Sequence, residues 1–167
     1  MMIETIGAMT MSVPSDREIV LTRDFDAPRT LVFEMFVKPE HLKRWWGLRG
    51  STLTVCDVDL RPGGAWRYVT RGPKGHENPF KGVYKEITPP ERLVYTLVYD
   101  VEGAREHPGV VTDVFTEKAG VTTLVENMLF PSKEARDGLL QSDMKRGAAE
   151  TFDRLAELLA TLTVARR

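Results

Sequence analysis

Between residues 52 and 130 the chain reads as six extended segments joined by short turns, and few folds accommodate that pattern. The segments fall at 52–59, 65–71, 80–87, 92–99, 110–116 and 121–130. Turn residues separate them at Arg61-Pro62-Gly63-Gly64, Gly72-Pro73-Lys74-Gly75, Thr88-Pro89-Pro90-Glu91, the stretch 102–108 and Glu117-Lys118-Ala119-Gly120. A parallel crossover needs a dozen or more residues, so connections this short imply an antiparallel meander.

Helical patterns flank the meander. Ile19, Leu21, Arg23 and Phe25 alternate with Val20, Thr22 and Asp24, which predicts a first strand ending at Asp26-Ala27-Pro28. Asp26 is expected to cap a helix with Pro28 near its first position and a stripe of Leu31, Val32, Met35 and Phe36. Pro39 opens a second short helix through Trp45-Trp46, ended by Gly47. One tryptophan is expected in the core; the other is core too or a ligand wall. After the meander, residues 132–160 read as one helix of about eight turns, N-capped by Ser132. Met144, Gly147, Ala148, Phe152, Leu155 and Leu159 share one of its faces. Small residues at Gly147, Ala148 and Ala149 either permit close helix-to-sheet packing or leave room for a cavity.

The resulting order is strand, two short helices, six strands, long helix. It predicts an α+β fold in which a curved seven-stranded antiparallel sheet wraps around a long C-terminal helix. The expected organisation is a loose tail at 1–16, one domain at 17–162 and a C-terminal tail at 163–167. A chain of 167 residues, 42% hydrophobic, can bury a sizeable core in one domain. Its net charge of −1, with no basic block, gives no footprint for nucleic acid or an anionic membrane. The single Cys56 excludes an internal disulfide and suits a reducing compartment, and its thiol is expected to be buried. With no membrane-length apolar run or apolar leader, the expected location is cytoplasmic.

Several segments together resemble a known superfamily. They are Phe25-Asp26-Ala27-Pro28-Arg29, Trp45-Trp46-Gly47, Asp59-Leu60-Arg61-Pro62-Gly63-Gly64, the stretch from Gly82-Val83-Tyr84-Lys85-Glu86-Ile87 to Pro90-Glu91-Arg92-Leu93, and Asp153-Arg154-Leu155-Ala156. Their order and spacing resemble the START-related, polyketide cyclase-like SRPBCC superfamily, in the branch homologous to the activator of the ninety-kilodalton heat-shock protein ATPase. That resemblance implies a helix-grip fold with an apolar cavity between sheet and helix. It also implies lipid or other hydrophobic ligand binding, a role in stress response, or co-chaperone activity. Relatives usually carry tryptophan at the positions of Ala148 and Leu97, so a roomier cavity is expected here.

Charge marks a further departure, because relatives place apolar residues where Asp113 and Glu126 stand. A hairpin about 117–120 that sets Phe115 opposite Thr122, Asp113 opposite Leu124 and Val111 opposite Glu126 makes the two carboxylates diagonal neighbours on an inner face. Burial and repulsion there raise at least one pKa. A one-residue slip instead turns both outward, and a salt bridge to Arg23 is a further alternative. Aromatic residues share phases along three strands: Trp66 with Tyr68, Phe80 with Tyr84, and Tyr95 with Tyr99. About half of such residues are expected to touch a cavity. The candidate ligand-binding set is Trp46, Trp66, Tyr68, Tyr84, Tyr95, Leu97, Asp113, Glu126, Met144, Ala148 and Phe152.

Other chemistries lack their residues. His41, His76 and His107 have no cysteine or carboxylate at ligand spacing, so no metal is expected. No phosphate loop, dinucleotide fingerprint or Gly-x-Ser-x-Gly motif occurs, and no cofactor is expected. The favoured reading is a carrier or sensor of a small apolar molecule. A co-chaperone-like module that binds a chaperone or a second copy of itself is the alternative. A cyclase- or dehydratase-like enzyme using Asp113 and Glu126 is the third.

Overall fold

The computed structural model describes residues 2–165. All its strands form one antiparallel sheet. In chain order these are β1 (Met2–Ile6), β2 (Met9–Val13), β3 (Glu18–Phe25), β4 (Thr52–Val58), β5 (Ala65–Arg71), β6 (Glu77–Thr88), β7 (Arg92–Tyr99), β8 (Gly109–Lys118) and β9 (Val121–Leu129). Their order across the sheet is β1-β2-β3-β9-β8-β7-β6-β5-β4. The helices are α1 (Arg29–Val37), α2 (Pro39–Trp45), α3 (Lys133–Gln141) and α4 (Met144–Ala165).

The meander lies where the turn residues predict it. Among the described residues, however, the sheet has nine strands rather than seven. Residues expected in a loose tail form the hairpin β1–β2, which extends the sheet beyond β3. Alternation explains the gain: Met9 and Met11 point inward and are fully buried, and their burial offsets the cost of ordering the segment. Irregular registers at Leu53/Val55 and Tyr84/Glu86 mark bulges in β4 and β6, the device by which a sheet bends.

The C-terminal stretch also departs from expectation, because it is two helices. Ser132 caps α3 as predicted, accepting a hydrogen bond from the Ala135 amide at 3.1 Å. At the other end Ser142 is extended, and its hydroxyl donates to the Leu139 carbonyl at 2.6 Å. A serine that bonds its own backbone competes with helix propagation, and the chain restarts as α4. The first helix differs as well. Pro28, not Asp26, occupies its N-cap, and the Arg29 amide donates instead to Glu117 Oε1 at 2.7 Å. A carboxylate from β8, distant in sequence, does the work expected of Asp26.

The helices α1, α2 and α4 cover the concave face, with α4 reaching β1, β2 and β3. Phe25, Leu31, Met35, Phe115, Leu155 and Leu159 belong to the buried core beneath them. Phe33 and Phe36 meet Phe115 edge to face at 5.4 and 5.2 Å.

Candidate functional site

Where α4 thins, the space under it is not filled. A cavity of about 470 Å³ lies among α2, the loop after it, the N-terminal part of α4 and strands β5 to β9. The adjacent tryptophans divide between two roles. Both line the cavity, but Trp45 is buried in the core with its indole N–H donating to the Met35 carbonyl at 2.9 Å, whereas Trp46 is half-buried. Gly47 permits that divergence: its φ of +105° is strained for a side chain, and a Cβ would meet Ser51 Oγ at 3.0 Å.

Ten of the eleven candidate residues line this space: Trp46, Trp66, Tyr68, Tyr84, Tyr95, Leu97, Glu126, Met144, Ala148 and Phe152. Asp113, fully buried behind Glu126, does not. Both positions of missing bulk, Leu97 and Ala148, face the same cavity. The aromatic phases were underestimated, since Phe80 also lines it and only Tyr99 of the six stands back. Tyr99 stacks on Phe80 at 5.2 Å and donates its hydroxyl to Asn78 at 2.7 Å. Trp66 sits at the centre of the wall, 4.6 Å from Tyr68 and 5.8 Å from Tyr95 between ring centroids.

The hairpin register differs from expectation by one pair, which changes the carboxylates' relation. Lys118 pairs with Val121, so the turn has two residues, Ala119 and Gly120, both with positive φ. Phe115 then opposes Leu124, and Asp113 opposes Glu126 directly rather than diagonally. A shift of two in pairing preserves the face, so both side chains still point inward. Across the sheet the row reads Met11, Leu21, Glu126, Asp113, Leu93, two acids between apolar neighbours. Arg23 does not reach them, because it pairs with Asp153 on α4 at 2.7 Å.

Burial is the chief cause that pushes the Asp113 carboxyl well above the usual carboxylate range, and the Glu126 charge pushes it further. Burial also raises Glu126, while a hydrogen bond from Asp113 opposes the rise. The consistent arrangement is a proton on Asp113 shared with Glu126. Tyr95 Oη donates to Asp113 Oδ2 at 3.1 Å. Asp113 Oδ1, like Tyr84 Oη, is buried without a hydrogen-bond partner of good geometry. Burial likewise raises the Tyr84 hydroxyl to about 12. Tyr84 Oη lies near enough to Tyr68 for electrostatic influence, but it makes no hydrogen bond of good geometry.

Sequence reasoning missed the mouth. Leu48 and Arg49 follow Trp46-Gly47, and α4 holds their loop. Arg154 Nη1 donates to the Gly47 and Leu48 carbonyls at 2.8 and 3.1 Å, and its Nη2 donates to Arg44 O at 3.3 Å. Arg49 forms an ion pair with Glu157. Leu48 is 53% exposed, yet it reaches over Gly147, where an added Cβ would lie 3.4 Å from its methyl group. The only legible signal was Arg154 at three-and-four spacing from Glu150 and Glu157 on one helix face. Of the two loops flanking β6 and β7, the first borders the cavity through Gly72 and Pro73, joined by Asn78 at the start of β6. Cys56 is half-buried rather than buried, and burial pushes its thiol up to about 11.

Among the described residues, no three His, Cys, Asp or Glu side chains come together as metal ligands. No described helix is long and apolar enough to cross a membrane.

Residues 26–160 match the family described as Activator of Hsp90 ATPase homolog 1-like protein. No significant match occurs among curated proteins. Solved structures do match. A Rhodobacter sphaeroides protein is 26% identical with a TM-score of 0.84, over 92% of this chain and 99% of that one. A Mycobacterium smegmatis protein is 24% identical with a TM-score of 0.80, over 91% and 97%. The AHSA1 protein of Silicibacter pomeroyi is 20% identical with a TM-score of 0.71, over 86% and 98%.

Proposed function

The chain belongs to the Activator of Hsp90 ATPase homolog 1-like family, and on that premise we propose that it binds a small, largely apolar molecule in the cavity beneath α4. The observation that carries this reading is the cavity itself. About 470 Å³ of unfilled, aromatic-walled space lies in an otherwise close-packed domain, and it is of the size small-molecule sites occupy. Empty volume of that kind costs stability, so its retention favours an occupant. The wall is mostly apolar with a few polar groups, Glu126, Tyr84 and Tyr68, set to orient a ligand. Carriage or sensing suits this architecture, and a role in stress response or lipid handling in the cytoplasm would be an instance of it.

The family's description names an ATPase activator, which motivates the co-chaperone alternative. A partner surface calls for a contiguous exposed apolar patch. Among the described residues the large exposed apolar side chains are Ile3, Leu48, Leu60, Val83, Val125, Leu129 and Val164, and of these only Leu48 borders the cavity. The cavity reading is therefore preferred. For an enzyme, only Glu126 reaches a bound molecule, and Asp113 acts through it.

Native mass spectrometry of freshly purified protein, before and after denaturation, tests the proposal. The expected result is a reproducible small mass released on unfolding and lost in Ala148→Trp, whose indole occupies the space. A protein that releases nothing, and whose melting temperature no apolar compound raises, contradicts it.

A further inference from the structure

We propose that the molecule held in this cavity carries a protonated amine on an apolar body, with the Glu126 carboxylate as its counter-ion. This rests on the reading of the cavity as a small-molecule site and specifies its ligand class.

The charge inventory comes first. Of the side chains lining the cavity, only Glu126 and Arg49 are charged, and Arg49 is engaged at the mouth by Glu157. The nearest basic residue on the sheet, Arg23, sits two residues from Leu21, the β3 partner of Glu126, and is held by Asp153. Within the protein, Glu126 has a second acid for its polar neighbour and no cation. A negative charge on Glu126 stands in a row whose other members are Met11, Leu21, Leu93 and the acid Asp113, so the protein supplies it no counter-ion. A buried charge without a partner is costly, and a ligand cation relieves it.

A second observation is independent of the acids. Tyr84 comes from β6, lines the same cavity, is 2% exposed and has no hydrogen-bond partner for its hydroxyl. Buried hydroxyls are rarely left unsatisfied, and this one can accept from an ammonium that Glu126 does not fully saturate. The walls complete the match. Trp66, Tyr68 and Tyr95 line the cavity, and an aromatic quadrupole attracts a cation while being indifferent to an alcohol. A carboxylate or phosphate in the same place would meet the Glu126 charge. A plain alcohol would leave that charge uncompensated.

Three probes of one skeleton separate these cases: 4-phenylbutylamine, 4-phenylbutanol and 4-phenylbutyrate, titrated near neutral pH by calorimetry and by Trp fluorescence. A charge-assisted hydrogen bond is worth enough to favour the amine over the alcohol by about tenfold or more, with the acid weakest. Glu126→Gln is expected to erase the amine's advantage over the alcohol, and Ala148→Trp to abolish binding of all three. The wild-type ratio decides without any variant. Should the alcohol or the acid bind as well as the amine, at a site that Ala148→Trp closes, the amine assignment is overturned and the cavity reading stands. A Glu126→Gln protein that still prefers the amine removes Glu126 as the counter-ion. If none of the three binds, the amine assignment is overturned, and native mass spectrometry decides the cavity reading separately.

Discussion

The two halves of α4 face the same sheet and meet opposite fates. From Phe152 onward the helix buries Leu155, Leu158 and Leu159, and Phe152 meets Phe25 edge to face at 6.0 Å. Before Phe152, Met144, Gly147 and Ala148 are half-buried and look into empty space. Backbone geometry is alike in both halves; side-chain volume differs. A sheet filled by leucine at one end stays open where the middle of the facing helix offers Gly147 and Ala148. Phe152 stands at the border and serves both regions. Close packing and open space are thus separated along a single element.

The contrast is broken most severely by Leu155→Ala, at a side chain 0% exposed. A loss of about 2–5 kcal/mol is expected in urea unfolding, because a packed site collapses poorly around deleted methyl groups. A loss below about 1 kcal/mol would mean the packed half is looser than its burial suggests. Next comes Arg154→Ala, which releases the cavity mouth. Its guanidinium donates to three backbone carbonyls, so about 1.5–3 kcal/mol is expected, with faster amide exchange confined to residues 46–51.

A smaller effect, visible only against pH, distinguishes the cavity floor. The folded state raises the pKa of Asp113, so it holds a proton that the unfolded chain gives up at the ordinary carboxylate value. Stability from this group is full below that value and declines as pH rises toward the folded pKa. Asp113→Asn mimics the protonated form and keeps an acceptor for Tyr95. Thermal melts from pH 4 to 8 should show a flatter profile, with the variant gaining on the parent as pH increases. Parallel profiles would show that Asp113 is ionised when folded.

The smallest change in stability is expected from Ala148→Trp, within about 1 kcal/mol by chemical unfolding, because the added ring enters existing space rather than a filled core. A cost of several kcal/mol would mean the space closes in solution, and the distinction between the halves would vanish.

Much of this was legible in local chemistry. Turn residues placed the meander, with 65–71 and 92–99 matching β5 and β7 to the residue, since proline and glycine restrict backbone angles wherever they stand. Side-chain period put Trp66 with Tyr68 and Phe80 with Tyr84 on shared strand faces, and helical spacing put Ala148 with Phe152, all lining one cavity. The family resemblance supplied the grip and the missing bulk at Leu97 and Ala148.

What the chain could not specify locally depends on contacts between distant segments. The β1–β2 hairpin is ordered by a core its own residues cannot supply, and α1 is capped by Glu117, 88 positions away. The Asp113–Glu126 pairing turned on whether a hairpin loop holds two residues or four, a difference that leaves every side chain on the same face and so leaves no trace in hydrophobic pattern. The break before α4 hung on one serine hydroxyl. Sequence by itself determined which residues of an element share a face, because period is a property of the local backbone. Tertiary structure alone decided which of those residues meet one another and which meet a void, because packing depends on the summed volumes of elements that only folding brings together.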